Sequence, residues 1–523
     1  MKISTLRTAV VVLGLAIGGC AIAQVSFQRT YQRPDAQCTF WGACNTLDGG
    51  FAFAGSDNDA GGNIIIMKVD GSGEVVFSRS YEPSQFDFAY AIAQTADSGF
   101  VVTGQGYNMG LGGAELYLMR TDKNGLLLWR GVYGTNQLET GLDVINTPDG
   151  GVLAVGYENF HGYFVKTDDE GTLLWNATIA DLPITQVHAI ASSPGGGYVF
   201  TGTTRSTTQG APSLLLGQID DEGQLGWKKR YSLTTGVAGS DIAVAQDGGY
   251  WITGTATRSS GNCAIVLRTD ASGQLIWSRV IGINDFGATG EEASGIIATQ
   301  DGGSLVAGTT NAYSTASDAM FIKLTAEGDI EWGMRYGNFF DEYAAGVLQA
   351  VDGGFAIYGT QDAGSTYAFL NRTDMQGTSG CNEAAITADL DVFNETLTVS
   401  ETPAAQGTYG TSLVTTGVIE PYEAVISTPC LTTSVDDHPS GGSTLPFDLI
   451  LSRHHLQLVG TASASSLSAS ILDATGRIVK DQQNTGGRMV VDLSGFKPGV
   501  YLVLIRYMNE VWTERIMLNE WIK

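Results

Sequence analysis

A glycine-centred turn recurs along this chain with a period near fifty residues. Asp-Gly-Gly stands at Asp48, Asp149, Asp247, Asp301 and Asp352, with variants at Asp97 (Asp-Ser-Gly) and Gly195 (Gly-Gly-Gly). The steps are 49, 52, 46, 52, 54 and 51 residues. Between these turns lies a second signature, D-x-x-G-x-x-x-W, at Asp122/Gly125/Trp129, Asp168/Gly171/Trp175, Asp220/Gly223/Trp227 and Asp270/Gly273/Trp277, with variants at Asp70/Gly73/Phe77 and Thr325/Gly328/Trp332. Self-similarity at this period means one supersecondary unit repeated, each unable to bury its apolar faces alone.

Each unit reads as four short strands. In the second, residues 89–95, 100–104, 116–121 and 126–133 are alternating or continuously apolar and are separated by Gly/Asp turns, with no competing helical period. Glycine supplies the positive φ such turns need, and aspartate accepts hydrogen bonds from nearby backbone N–H groups. Seven four-strand units predict an all-β chain built on a seven-bladed β-propeller over residues 24–380. The repeated aromatics Phe27, Phe77, Trp129, Trp175, Trp227, Trp277 and Trp332 are expected between blades. The seventh unit lacks a fourth strand, having Cys381 where the aromatic belongs. Residues 25–31, VSFQRTY, copy the fourth strand VVFSRSY of residues 75–81 and are expected to complete it, leaving no open edge.

The repeat resembles the SBBP-like bacterial β-propeller repeats. Asp318-Ala319-Met320-Phe321-Ile322-Lys323-Leu324, Tyr336-Gly337 and Asp352-Gly353-Gly354-Phe355 carry that likeness, which implies a fold and no activity.

Residues 1–23 read as a secretory signal peptide, with Lys2 and Arg7 ahead of an apolar run and Ala21-Ile22-Ala23 before Gln24. Ile17-Gly18-Gly19-Cys20 also resembles a lipobox, so cleavage as a lipoprotein stays open. No segment has the roughly 20 apolar residues a membrane span requires. Lys+Arg 28 against Asp+Glu 54 leaves a net charge of −26, which repels phosphate backbones and argues against nucleic acid as a partner. Beyond the signal, Cys38, Cys44, Cys263, Cys381 and Cys430 are widely spaced with no C-x-x-C pair, so disulfides are expected rather than zinc.

Residues 381–432 read as a strand-rich appendage bounded by Cys381 and Cys430, the candidate disulfide, and residues 433–446 as a linker. From residue 447 to 523 a new strand pattern begins. Its segments ILDATGRIV (471–479), VDL (491–493), PGVYL (498–502) and RIML (515–518) resemble the type IX (Por) secretion C-terminal sorting domain. That resemblance implies a small Ig-like β-sandwich, export to the surface or medium, and the type IX machinery as a partner.

Strand order puts the tight hairpins on one face of the ring and the longer, varied loops on the other, where binding residues concentrate. Candidate ligand-binding residues there are Tyr107, Asp285, Phe286, Glu292, Tyr313, Phe339, Phe340 and Asp341. Aromatics beside carboxylates suit sugar faces and hydroxyls, so a non-enzymatic module binding glycan or protein is expected. The alternative is a propeller glycoside hydrolase or lyase using paired loop-face acids. Asp87, Glu139, Glu291 and Glu342 each lie ten residues before a turn, and that regularity suggests hydrogen bonds fixing loops. The sequence carries no H-E-x-x-H or G-x-S-x-G motif and names no catalytic residue, metal site or cofactor, apart from a hint of calcium near Asp57 and Asp59 without a distal bidentate glutamate.

Overall fold

The structure is a computed structural model. It describes residues 25–518 apart from internal stretches, among them 33–36, 58–61, 82–84, 284–289, 338–339, 381 and 433–446; residues 1–23, expected to be a signal peptide, lie outside the described residues. Every described element is a strand, and none is a helix. The chain divides into two units, Met1–Val435 and Asp436–Lys523.

The first unit is a seven-bladed propeller. The second and third strands of each blade are nearly continuous apolar runs, as in Phe51–Asp57 and Ile64–Val69, because both of their faces are covered by neighbouring blades. Inner strands such as Val237–Val244 alternate, one side packed and the other turned to the central channel. Ser26–Gln32 pairs with Thr366–Thr373 in the register Phe27↔Arg372 to Tyr31↔Ala368, so the N-terminal strand is the fourth strand of the last blade.

Neighbouring blades meet through one repeated contact. The aromatic of each fourth strand lies on the glycine of the next blade's D-x-x-G turn: Phe27 on Gly73, Phe77 on Gly125, Trp129 on Gly171, Trp175 on Gly223, Trp227 on Gly273, Trp277 on Gly328 and Trp332 on Gly377. At Gly273 the backbone is left-handed, with φ of 73°, and a Cβ would stand 2.5 Å from the Trp227 ring. Only glycine meets both demands. The aspartate that opens the turn holds its shape, Asp270 Oδ1 accepting from Ser272 N at 2.9 Å and Gln274 N at 2.8 Å. A tyrosine four residues beyond the aromatic adds a hydrogen bond to the same glycine carbonyl, from Tyr81 to Gly125 at 2.5 Å and from Tyr133 to Gly171 at 2.5 Å.

The aspartates of the Asp-Gly-Gly turns have a second task. Each pairs with the basic residue of its own third strand, as in Arg120–Asp97 at 2.8 Å, Lys166–Asp149 at 2.8 Å and Arg372–Asp352 at 2.6 Å. The fourth blade has no such aspartate, and there the basic residue is replaced by Gln218, which donates to the Gly196 carbonyl at 3.3 Å.

Residues 383–432 differ from the expected appendage. Their seven short strands travel around the outside of the ring and add one antiparallel fifth strand to every blade. Glu383–Ala385 joins the sixth blade, Leu390–Phe393 the fifth, Thr398–Thr402 the fourth, Gln406–Gly407 the third, Thr411–Thr415 the second, Ile419–Pro421 the first and Val425–Thr432 the seventh. The physical reason is edge pairing: each fourth strand offers unpaired N–H and C=O groups that an extended segment of almost any composition satisfies. No disulfide occurs among the described residues, Cys38, Cys44 and Cys263 included, and Cys381 of the candidate Cys381–Cys430 pair lies outside the described residues.

The second unit holds a three-stranded and a four-stranded antiparallel sheet. Residues buried in it lie on both sheets: Met489 and Val491 on one, Ala469, Ile471, Val503 and Ile505 on the other.

Replacing Gly273 with alanine is expected to cost at least about 1–3 kcal/mol from the left-handed backbone, with the ring clash added. Leu128→Ala, at an outer-strand position that is 47% exposed, should stay within about 0.5 kcal/mol. Urea unfolding of the two variants checks this, and equal midpoints would remove the aromatic–glycine contact from the interactions that hold the ring.

Candidate functional site

All seven inner strands carry a β-bulge at the same height. Pairing with the second strand skips one residue in each blade: Trp41, Tyr90, Leu142, His188, Ser240, Ser294 and Ala345. A bulge bends the strand and re-aims its extra residue. The seven line one cavity of about 370 Å³ on the ring axis. Three of them, His188, Ser240 and Ser294, also line an adjoining groove of about 550 Å³ that opens among the varied loops and includes Thr255, Glu292, Thr309, Asn311 and Tyr343.

The cavity wall is uneven. On the first two blades Trp41 packs on Tyr90 at 5.4 Å and on Phe88 at 5.8 Å, and Tyr107 and Tyr157 lie close enough to raise the Tyr90 hydroxyl further. Burial is the larger cause and pushes that hydroxyl up to about 12. On the fourth to seventh blades the bulge residues are imidazole, hydroxyls and a methyl group.

Two carboxyls stand in this wall, Asp143 and Asp241, each directly after its bulge. Asp143 accepts from Val144 N and from Ile190 N of the next blade, both at 2.8 Å. Asp241 repeats the arrangement with Ile242 N at 2.7 Å and Ile296 N at 2.8 Å. Burial pushes Asp143 up to about 7, opposed by the Ile190 N–H and helped by the charge of Asp241. Burial likewise pushes Asp241 up to about 6 against its two N–H donors. Between them His188 sits with Nδ1 2.5 Å from the Gly239 carbonyl, to which it donates, and Nε2 3.4 Å from Gln186 Oε1. Burial lowers its pKa, against the hydrogen bond to Gly239, which favours the charged ring.

The residues singled out from sequence are placed variously. Glu292 is exposed in the groove, its Oε1 accepting from Asn262 at 3.1 Å. Tyr107 stands at the rim of the aromatic arc. Asp341 is half-buried and accepts from Ser317 N at 2.7 Å, and Tyr313 donates to Asp389 at 2.7 Å with the Arg335 guanidinium 4.8 Å over its ring. Phe340 is exposed. Asp285, Phe286 and Phe339 lie outside the described residues, as does Asp59; Asp57 is buried, with Oδ1 accepting from Asn63 N at 2.8 Å. The acids ten residues before the turns are buried, Glu139 accepting from Thr135 N at 3.0 Å and Glu342 from Gln361 at 2.6 Å.

Asp143, Asp241, His188, Trp41 and Tyr90 escaped the sequence reading, though one signal marks the two acids. The position six residues before each turn reads Gly42, Ala91, Asp143, Ala189, Asp241, Gly295 and Gly346. Five small residues and two aspartates in one column mark the exceptions.

Comparison with known proteins bears first on the tail: residues 455–519 match the family described as the secretion system C-terminal sorting domain. No curated protein matches the chain. Among solved structures, PorZ, an essential bacterial surface component of the type IX secretion system of Porphyromonas gingivalis, aligns with a TM-score of 0.38 and 10% identity, covering 90% of this chain and 73% of that one. Drosophila Plexin A, solved in complex with Semaphorin 1b, aligns with a TM-score of 0.40 and 7% identity, covering 68% and 88%. At these scores neither structure bears on what this chain binds.

Asp143 and Asp241 both hold a proton more tightly in the folded chain than at their ordinary value of 3.8. Their contribution therefore favours folding below about pH 4 and turns into a penalty as pH rises through 6 and 7. Asp143→Ala/Asp241→Ala should show a melting temperature that gains on the native chain as pH goes from 4.5 to 7.5. A difference independent of pH would mean the two carboxyls titrate normally.

Proposed function

We propose that this propeller, exported through the type IX system by the sorting tail at residues 455–519, binds a saccharide at the mouth of its central channel. The observation that carries the reading is the convergence of seven bulges on one cavity whose wall is aromatic on one side and hydroxyl, imidazole and carboxyl on the other. Sugar rings have an apolar face of C–H groups and an edge of hydroxyls, and such a wall meets both at once. Trp41 and Tyr90 are the stacking surface, while Ser240, Ser294 and Glu292 supply acceptors and donors for hydroxyls. The rigid ring holds these groups without reorganisation on binding.

The chain is a surface-located or secreted protein, and the proposal gives that location a purpose: capture of a glycan outside the cell. A glycan array probed with the mature chain tests it. Trp41→Ala is expected to weaken binding at least tenfold, about 1.4 kcal/mol, with the fold retained. Binding that survives loss of both Trp41 and Tyr90 would move the site elsewhere, and sustained release of cleaved sugar would replace the binding reading with the hydrolase one. The address is checked separately: a chain ending at residue 446 should stay in the periplasm with its propeller folded, and unchanged surface display would refute the role of the tail.

A further inference from the structure

We infer that the hairpin face of the ring, opposite the varied loops, carries a second site, which takes an acidic, aliphatic segment of another protein. It lies at the seam between the first and second blades, where a cavity of about 470 Å³ is lined by Lys68, Arg79 and Lys123 with Asp48 as its one carboxyl. In a chain of net charge −26 this is a local reversal of sign. Lys68 is already paired with Asp48, whose other oxygen accepts from Thr46 at 2.5 Å. Arg79 and Lys123 form no ion pair among the described residues, and Lys123 is exposed.

The sister seams show what Arg79 lacks. Two residues beyond the aromatic, the fourth strand carries Arg29, Arg79, Lys229 or Arg279 in four blades and Gly131, Ala177 or Met334 in the other three. Arg29 meets Glu74 of the next turn at 2.7 Å, and Lys229 meets Glu401 of the belt at 3.8 Å. Arg279 donates to the Gly328 and Glu327 carbonyls of the next blade at 3.2 and 3.0 Å. Arg79 has none of these partners. Leu126 stands where Glu74 would be, and the belt puts Pro421 opposite Arg79 where it puts Glu401 opposite Lys229. Among the described residues its one hydrogen bond runs from Nη1 to the Ser78 carbonyl of its own strand, at 3.4 Å. The facing turn adds Lys123, while Asp122 beside it accepts from Asn124 N and Leu126 N of its own turn at 2.8 and 2.7 Å. The guanidinium is nonetheless positioned: its stem lies over Gly125, where a Cβ would stand 3.0 Å from Arg79 Cγ, and its carbon is 5.8 Å from the Phe77 ring centroid.

Charge is one part of the fit. Leu47 and Val76 line the same cavity and are 74% and 56% exposed, and Leu126, next to the turn glycine, is 48% exposed. An exposed ion pair alone binds weakly, and a bare inorganic anion would leave these side chains in water. A peptide with a carboxylate beside an aliphatic side chain uses both features. The carboxylate accepts from the guanidinium fork and the Lys123 ammonium, and the aliphatic group covers Leu47 and Val76.

Fluorescence polarisation of the chain from Gln24 onward, with a labelled Asp-Leu-Asp-Leu peptide, tests this against Asn-Leu-Asn-Leu and Asp-Ser-Asp-Ser. The acidic, aliphatic peptide is expected to bind at least tenfold tighter than either control. Arg79→Gln should abolish that preference. Leu126→Glu, at an exposed position, supplies the acid that Glu74 gives Arg29, and should weaken binding at least tenfold without lowering the melting temperature. Equal binding of the Asn-Leu peptide, or binding unchanged in Leu126→Glu, overturns the inference. Displacement of the peptide by equimolar inorganic sulfate would make the site one for bare oxyanions, and a dimer of the free chain that Leu126→Glu abolishes would make a second copy the occupant; either result overturns the assignment to another protein. All of these outcomes leave the channel reading where it stands.

Discussion

The ring rests on an aromatic side chain seated where a Cβ cannot be. Each fourth strand sends one ring into the hollow above a glycine of the next blade, and the hollow exists only because that glycine is left-handed and bare. Because the contact always points from one blade to its successor, seven of them return to the starting point only if the last is made. Phe27 on Gly73 makes it, and Phe27 belongs to Ser26–Gln32, the first strand among the described residues. Closure is thus a side-chain event as well as a hydrogen-bonding one.

The same repetition explains what could be read in advance. Turn aspartates, turn glycines and the following aromatic recur because every blade needs them, so the period, the strands and the all-β class were legible from residues 24–380. The belt at 383–432 was not, because its strands are held through backbone groups, which leave no side-chain period to detect. Gln406–Gly407 has only two residues, too few for any pattern. Among the candidate residues, Glu292 stood out because it breaks register, and it lines the groove. Asp143 and Asp241 were passed over because an acid in a half-exposed strand looks like a solvated one. Nothing in the local sequence shows that a bulge turns that strand towards the axis.

At the bulge position nothing structural demands a particular side chain, and the seven blades accordingly differ there, from Trp41 to Ala345. Burying Asp143 and Asp241 without a cation is unfavourable, and the neighbouring cores, fully buried in residues such as Ile252 and Leu267, hold the backbone against it. In return each acid ties its blade to the next, Asp143 through Ile190 N and Asp241 through Ile296 N.

The belt runs against the order of the blades, sixth to first and then seventh, and ends beside the N-terminal strand with Ser26 facing Thr432. Tension applied through the residues after Thr432 therefore meets the seventh blade first and proceeds one blade at a time. Each step breaks a few backbone hydrogen bonds and leaves the aromatic–glycine contacts between blades intact. The fifty residues from 383 to 432 would pay out about 165–180 Å of extended chain before the ring itself bore load. Wound this way, the outermost strands act as a spool, letting a protein held by its tail yield in length while its channel keeps its shape.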